Sequence, residues 1–130
     1  RHPDNNILNE MDKKLRNTIK LIEKNNKVEI KIKQILELKS NVFNKSIKNI
    51  IQDVTEKLNY SSKEIVSGAG HDAVNINAIA PTAMIFIPCI DGISHNEVEN
   101  VYKEDVTKGA QVLLHSMIEL ADNSSIIIDN

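Results

Sequence analysis

Apolar residues at Ile7, Leu8, Met11, Leu15, Ile19 and Ile22 fall mostly three or four positions apart, which predicts one amphipathic helix. Asp4 or Asn5 supplies its amino-terminal cap and Asn25-Asn26 its end. Val28, Ile30 and Ile32 then alternate with Glu29, Lys31 and Lys33, the period of a half-buried strand that continues to about Leu38. Helix and strand, opened abruptly by Arg1-His2-Pro3, read as the tail of a larger α+β layer, since a free-standing sheet needs more strands. Lys39-Ser40-Asn41 is the linker. A second amphipathic helix carries Ile47, Ile50, Ile51, Val54 and Leu58 and stops at Asn59. A short helix is expected from about His71 to Ile79, ended by Pro81. Thr82 to Ile87 reads as a strand buried on both faces and stopped by Pro88, with a loop from Asp91 to Tyr102 after it. Asp105 caps a final helix bearing Val106, Ala110, Leu113, Leu114, Met117, Ile118 and Ala121. Asn123-Ser124-Ser125 ends that helix, and residues 126–130 form a tail of undetermined structure.

Length and composition narrow the class. A chain of 130 residues with 41% hydrophobic and 26% charged residues fits a globular domain. No apolar stretch approaches the roughly 20 residues that cross a bilayer, and the amino terminus has no secretory apolar run, so no membrane association is expected. A net charge of −2, with lysines interleaved among acids, carries no nucleic-acid footprint. The few aromatic residues, Phe43, Tyr60, Phe86 and Tyr102, argue against base-stacking or sugar-stacking platforms. Cys89 is the single cysteine, which fits a reducing, cytoplasmic location, and it reads as a small buried hydrophobe.

Two polar motifs flank the apolar run Met84-Ile85-Phe86-Ile87. Ser67-Gly68-Ala69-Gly70-His71-Asp72-Ala73 precedes it, and Asp91-Gly92-Ile93-Ser94-His95-Asn96 follows it. Glycines let a backbone crowd a ligand, and His and Asp bind metals and move protons. The second motif lies just past the carboxyl end of a strand, where open α/β layers bind ligands. Gly92 permits a tight bend, His95 offers an imidazole nitrogen, and Asp91 or Asn96 is placed to orient that ring. Taken locally, His95 is either a metal ligand or a solvated loop residue. Gly68-Ala69-Gly70 running into a helix is either an anion cradle or an ordinary glycine turn. His115 reads as a partly buried structural histidine and His2 as a turn residue. Glu97, Glu99, Glu104 and Asp105 read as a solvated acidic loop and helix start.

At these motifs, and at Pro81-Thr82-Ala83-Met84-Ile85-Phe86-Ile87-Pro88 between them, the chain resembles the amidase, hydantoinase and carbamoylase group of the M20-type metallopeptidase superfamily. Allantoate amidohydrolases, N-carbamoyl-L-amino-acid hydrolases and β-ureidopropionases belong to that group. Arg1-His2-Pro3-Asp4 matches the end of its Asp-x-Arg-His-Pro-Asp segment, so the resemblance runs from Arg1 to about Ala121. It implies an α/β fold: the carboxyl-terminal part of a zinc-peptidase-like catalytic domain (residues 40–130), preceded by the last helix and strand of an α+β lid and dimerisation domain (residues 1–39). It also implies a fragment of a metal-dependent amidohydrolase that cleaves linear ureido or carbamoyl C–N bonds in a small acid. Two divalent ions are implied, Mn2+ or Zn2+ with Co2+ as a third candidate, and a homodimer formed through the lid.

By position, His95 would be a metal ligand and Arg1 the grip on the substrate carboxylate. Gly70 and His71 would line the substrate side of the cleft, with His71 supporting the tetrahedral oxyanion. The group's other metal ligands and its catalytic glutamate precede the stretch that this chain matches, so the isolated 130 residues are expected to be inactive. Glu97 stands where proline usually follows the His-Asn pair, and Ile90 where an arginine is common. An aminoacylase or dipeptidase of the same superfamily, or a non-catalytic structural remnant, are the rival readings.

Overall fold

The computed structural model describes residues 1–122, so the helix end expected at 123–125 and the tail expected at 126–130 lie outside the described residues. Regular structure among them is helical throughout. The elements are α1 (Asn5–Asn26), α2 (Lys45–Lys57), α3 (Ala73–Asn77), a single 3₁₀ turn (Ile90–Gly92) and α4 (Lys103–Asp122). They belong to two compact units, one made of Arg1–Val42 with Val66–Ala69, the other of Phe43–Ile65 and the described residues from Gly70 onward.

In the first unit α1 forms where the spacing predicts it. Asp4 sits in extended backbone and its carboxylate accepts the Asn6 N–H at 2.7 Å, satisfying one amide that the first turn leaves open. Lys27 closes the other end in the left-handed region, with φ 52°, its N–H returning to the Glu23 carbonyl at 3.1 Å. His2 is the turn residue expected, its Nδ1 accepting the Asp4 N–H at 3.0 Å.

The segment after α1 returns along the helix, pinned by side chains rather than by a ladder. Glu23 accepts the Ile30 N–H and Asn5 accepts the Ser40 N–H, both at 2.8 Å. The strand expected over 28–38 is therefore not formed. A strand exists only through a paired neighbour, and the described residues contain no ladder. No residue of α1 is buried: of its stripe, Leu8 and Ile19 are half-buried, while Ile7, Met11, Leu15 and Ile22 are exposed, Leu15 at 54%.

The second unit has the core. Asn44 caps α2, its Oδ1 accepting the Ile47 N–H at 3.0 Å, while its own N–H donates to the Thr82 carbonyl at 2.9 Å. Ile47 and Val54 of α2 pack with Val112 of α4, and Val54 is only 3% exposed. Thr55 is buried and its hydroxyl donates to the Ile51 carbonyl at 2.6 Å. Asn59, at φ 57°, stops α2 as its position suggested.

Two expectations fail here. The 82–87 segment makes no ladder and is half-buried, with Phe86 46% exposed, so a strand buried on both faces is not present. α4 begins at Lys103, so Asp105 lies within its first turn and does not cap it. Val112 and Ser116 are buried, whereas Val106, Leu113, Leu114, Met117 and Ile118 are exposed. Periodicity locates an apolar stripe but not the neighbour that covers it, and α2 covers only its flank. Gly109 adds to that flank: a Cβ there would lie 2.5 Å from Ile87 Cγ2, so the missing side chain is what lets Ile87 approach the helix. No helix among the described residues is long and apolar enough to cross a membrane.

Candidate functional site

The first motif is divided between the units. In the first unit the Arg1 guanidinium donates to the Gly68 carbonyl, and the Ala69 N–H is taken by Ser67 Oγ at 3.2 Å. In the second unit Gly70 leads into His71, and a Cβ at Gly70 would meet no atom within 4 Å, so there is open space around this position.

The helix that follows, α3, opens with turn-type bonds. The Val74 N–H returns to the His71 carbonyl at 3.0 Å and the Asn75 N–H to the Asp72 carbonyl at 2.9 Å. The Ala69, Val74 and Asn75 amides are thus engaged locally. His71 is half-buried and meets the Phe86 ring edge-on, with centroids 5.4 Å apart and planes at 65°. That contact ties the first motif to the apolar run between the two motifs.

The second motif is a strained loop. Asp91 has φ 55°, Gly92 φ 69° and His95 φ 56°, so three of its six residues lie in the left-handed region. Only Gly92 enters that region without steric penalty; for the others it costs roughly 1–2 kcal/mol each. Ile90 N–H to the Asn100 carbonyl, at 2.8 Å, closes the base of the loop. At the apex the His95 N–H donates to Glu99 Oε2 at 2.8 Å, and Ser94 Oγ lies 3.3 Å from the ring Nδ1. A hydrogen bond to a charged acceptor contributes about 1.5 kcal/mol, toward the low end for an exposed pair, which offsets much of the penalty at His95.

The residue beside the ring is thus Ser94, not Asp91 or Asn96. Asn96 instead accepts the Val98 N–H at 3.1 Å in a local turn. His95 is exposed, and Ser94 at Nδ1 leaves Nε2 as the nitrogen that a metal could take. The described residues contain no group of three His, Cys, Asp or Glu able to hold a metal ion, so further donors would have to join His95.

Glu99 escaped the sequence reading, which placed it in a solvated acidic loop. A Glu four residues after a loop His leaves no periodic signal, because outside a helix that spacing does not fix a contact. Cys89 is likewise more than a small hydrophobe. Its thiol lies 3.7 Å from Glu99 Oε1, and partial burial, then the charge and hydrogen bond of Glu99, push its pKa up. His115 is exposed rather than partly buried, at the rim of a notch of about 270 Å³ between α2 and α4. A second cleft of about 430 Å³ lies along α1, and neither is lined by His71 or His95.

Residues 6–119 match Peptidase family M20/M25/M40. The N-carbamoyl-L-amino-acid amidohydrolase of Rhizobium meliloti is 44% identical over 80 residues, covering 62% of this chain and 19% of that protein. The allantoate amidohydrolase of Escherichia coli (strain K12) is 31% identical over 121 residues, covering 93% of this chain and 29% of that protein. The crystal structure of an amidase of the hydantoinase/carbamoylase family from Burkholderia multivorans superposes with a TM-score of 0.87 at 42% identity, over 91% of this chain and 29% of that one. The chain therefore spans less than a third of the length of these relatives.

Proposed function

This chain belongs to peptidase family M20/M25/M40, and on that premise we propose that it forms the carboxyl-terminal part of a metal-dependent amidohydrolase acting on linear ureido or carbamoyl C–N bonds. Allantoate and N-carbamoyl amino acids are the substrate class, supported by the names of the relatives above. In this reading residues 1–39 complete a lid and dimerisation domain, and residues 40–130 complete an α/β catalytic domain whose partner strands come from the rest of the protein. The single unpaired cysteine supports a cytoplasmic setting.

The observation that carries the reading is His95, an exposed imidazole presented from a left-handed backbone position at the tip of a closed loop. Non-glycine residues in that conformation concentrate at functional sites because the strain must be supported by surrounding structure. His95 would be one protein ligand to a pair of divalent ions, Mn2+, Zn2+ or Co2+, with Nε2 as the donor atom. Such a pair activates water and polarises a carbonyl oxygen.

The other roles belong to this chain's own side chains. Arg1, planar and always charged, would bind the substrate carboxylate in bidentate fashion, its backbone partner Gly68 holding the guanidinium in place. His71, oriented by the Phe86 edge, would donate to the oxygen that gains charge as the amide carbon becomes tetrahedral. Gly70, with open space around it, would admit the substrate backbone.

The test is a hydrolysis screen of the complete protein containing this chain against allantoate, N-carbamoyl amino acids and dipeptides. Carbamoyl or ureido cleavage is expected, and turnover of dipeptides alone would assign the aminoacylase or dipeptidase reading instead. His95→Ala should remove metal from one site together with activity, by a factor of about 10³ or more. Arg1→Ala should chiefly raise KM for carboxylate-bearing substrates. Unchanged metal content in the His95 variant would overturn its role. The 130 residues alone should show no turnover.

A further inference from the structure

We propose that Glu99 is a positioning residue that holds His95 in its left-handed conformation by bridging the apex of the 90–100 loop to its base. For its functional meaning this rests on the metal reading of His95, which it deepens. A turn from the Glu99 N–H to the Asn96 carbonyl, at 2.9 Å, folds the chain back so that the carboxylate points into its own loop. One oxygen, Oε2, receives the His95 N–H at 2.8 Å; the other, Oε1, receives the Cys89 thiol at 3.7 Å. A single side chain therefore ties residue 89, just before the loop, to residue 95 at its tip.

Three features make this a clamp rather than an incidental contact. His95 is at φ 56°, where a side chain is disfavoured unless something holds the backbone, and its amide is the group that Glu99 grips. The loop's ends are already closed by Ile90 and Asn100, so Glu99 acts on a ring of backbone whose remaining freedom is concentrated at its tip. Ser94 then restrains the imidazole through Nδ1, so that backbone and ring are fixed by different partners. The side-chain oxygens of Asn96 and Asn100 are committed to the Val98 and Val101 amides and do not compete for the role.

The experiment uses the 130-residue chain and reads the His95 amide directly. In the wild type that amide should exchange slowly with solvent, and its HN–Hα coupling should report positive φ. Glu99→Ala should accelerate exchange about tenfold and shift the coupling, the loss expected for one net hydrogen bond. Glu99→Gln keeps an acceptor oxygen and should restore most of the protection. Resonances of Val54 and Val112 monitor the core, so a variant that fails to fold is recognised, and Glu99→Leu, which also lacks the acceptor, then decides. Unchanged exchange and coupling in the Ala variant, or in Glu99→Leu where the Ala variant does not fold, would overturn the clamp.

A separate titration of the metal-free complete protein containing this chain with Zn2+ follows the His95 ring protons. A shift in the wild type that weakens in Glu99→Ala supports the linkage of clamp to ligand. A ring indifferent to Zn2+ in every variant overturns the metal reading and with it the functional meaning, while the amide result still judges the clamp.

Discussion

Helix α1 and the α2–α4 pair carry the same kind of sequence pattern and reach opposite ends. Each has an apolar stripe at helical spacing, and α1 and α2 are capped by Asp4 and Asn44, yet no residue of α1 is buried while Ile47, Val54 and Val112 form a core. The first unit is held by polar contacts such as Glu23 with Ile30 and Asn5 with Ser40. The second is held by hydrophobic packing, which contributes roughly 1.5–3 kcal/mol per fully buried large aliphatic side chain. An amphipathic pattern states that a face is suited to burial; a neighbouring element decides whether it is buried.

The sharpest way to break that contrast is to place a charge on each stripe. Val54→Asp should destabilise the second unit by about 3 kcal/mol, because it strands an unpaired carboxylate in the core. Leu15→Asp in α1 should change stability by no more than about 0.5 kcal/mol, as for an exposed position. Urea unfolding followed by helical circular dichroism measures both. Equal losses would mean that the α1 stripe is as covered as the core.

A smaller effect tests how closely the second unit is packed. Gly109→Ala gains about 1 kcal/mol in helix propensity and loses about 1–3 kcal/mol to the clash with Ile87, for a net loss near 1 kcal/mol. In an Ile87→Ala background the same change should become stabilising, since the clashing methyl is gone. That reversal of sign in a double-mutant cycle is the observation to seek.

The smallest effect is electrostatic. Lys48 donates to Glu64, and that hydrogen bond, with the accompanying charge, holds the Glu64 carboxyl below the usual carboxylate range. A carboxyl lowered in the folded state adds stability above its unfolded pKa and loses it as pH falls through the folded value. Stability should therefore decline slightly more between about pH 6 and pH 3 in the wild type than in Lys48→Met. Both groups are exposed, so the difference is expected near the limit of denaturation measurements.

What the sequence made legible was local. Asp4 as a cap, Asn59 as a stop, Gly92 as a bend and the inward face of α2 all depend on residues a few positions apart. The three motifs that carry the family resemblance are also contiguous, and the family itself follows from them. What escaped depends on residues that pattern alone cannot pair. The strands expected at 28–38 and 82–87 needed partners, the α4 stripe needed a neighbour to select its buried side, and Glu99 needed the loop to turn before its carboxylate met Cys89 and His95. Site assignment at Arg1, Gly70, His71 and His95 came from resemblance, since single histidines and glycines are too common to specify chemistry.

The outward ridge of α4 has a consequence for handling the protein. Val106, Leu113, Leu114, Met117 and Ile118 give one helix five large greasy side chains in water. A chaperone that samples surfaces would meet there what an unfinished polypeptide displays. Dilution, more than cooling, would then govern whether molecules of this chain stay apart.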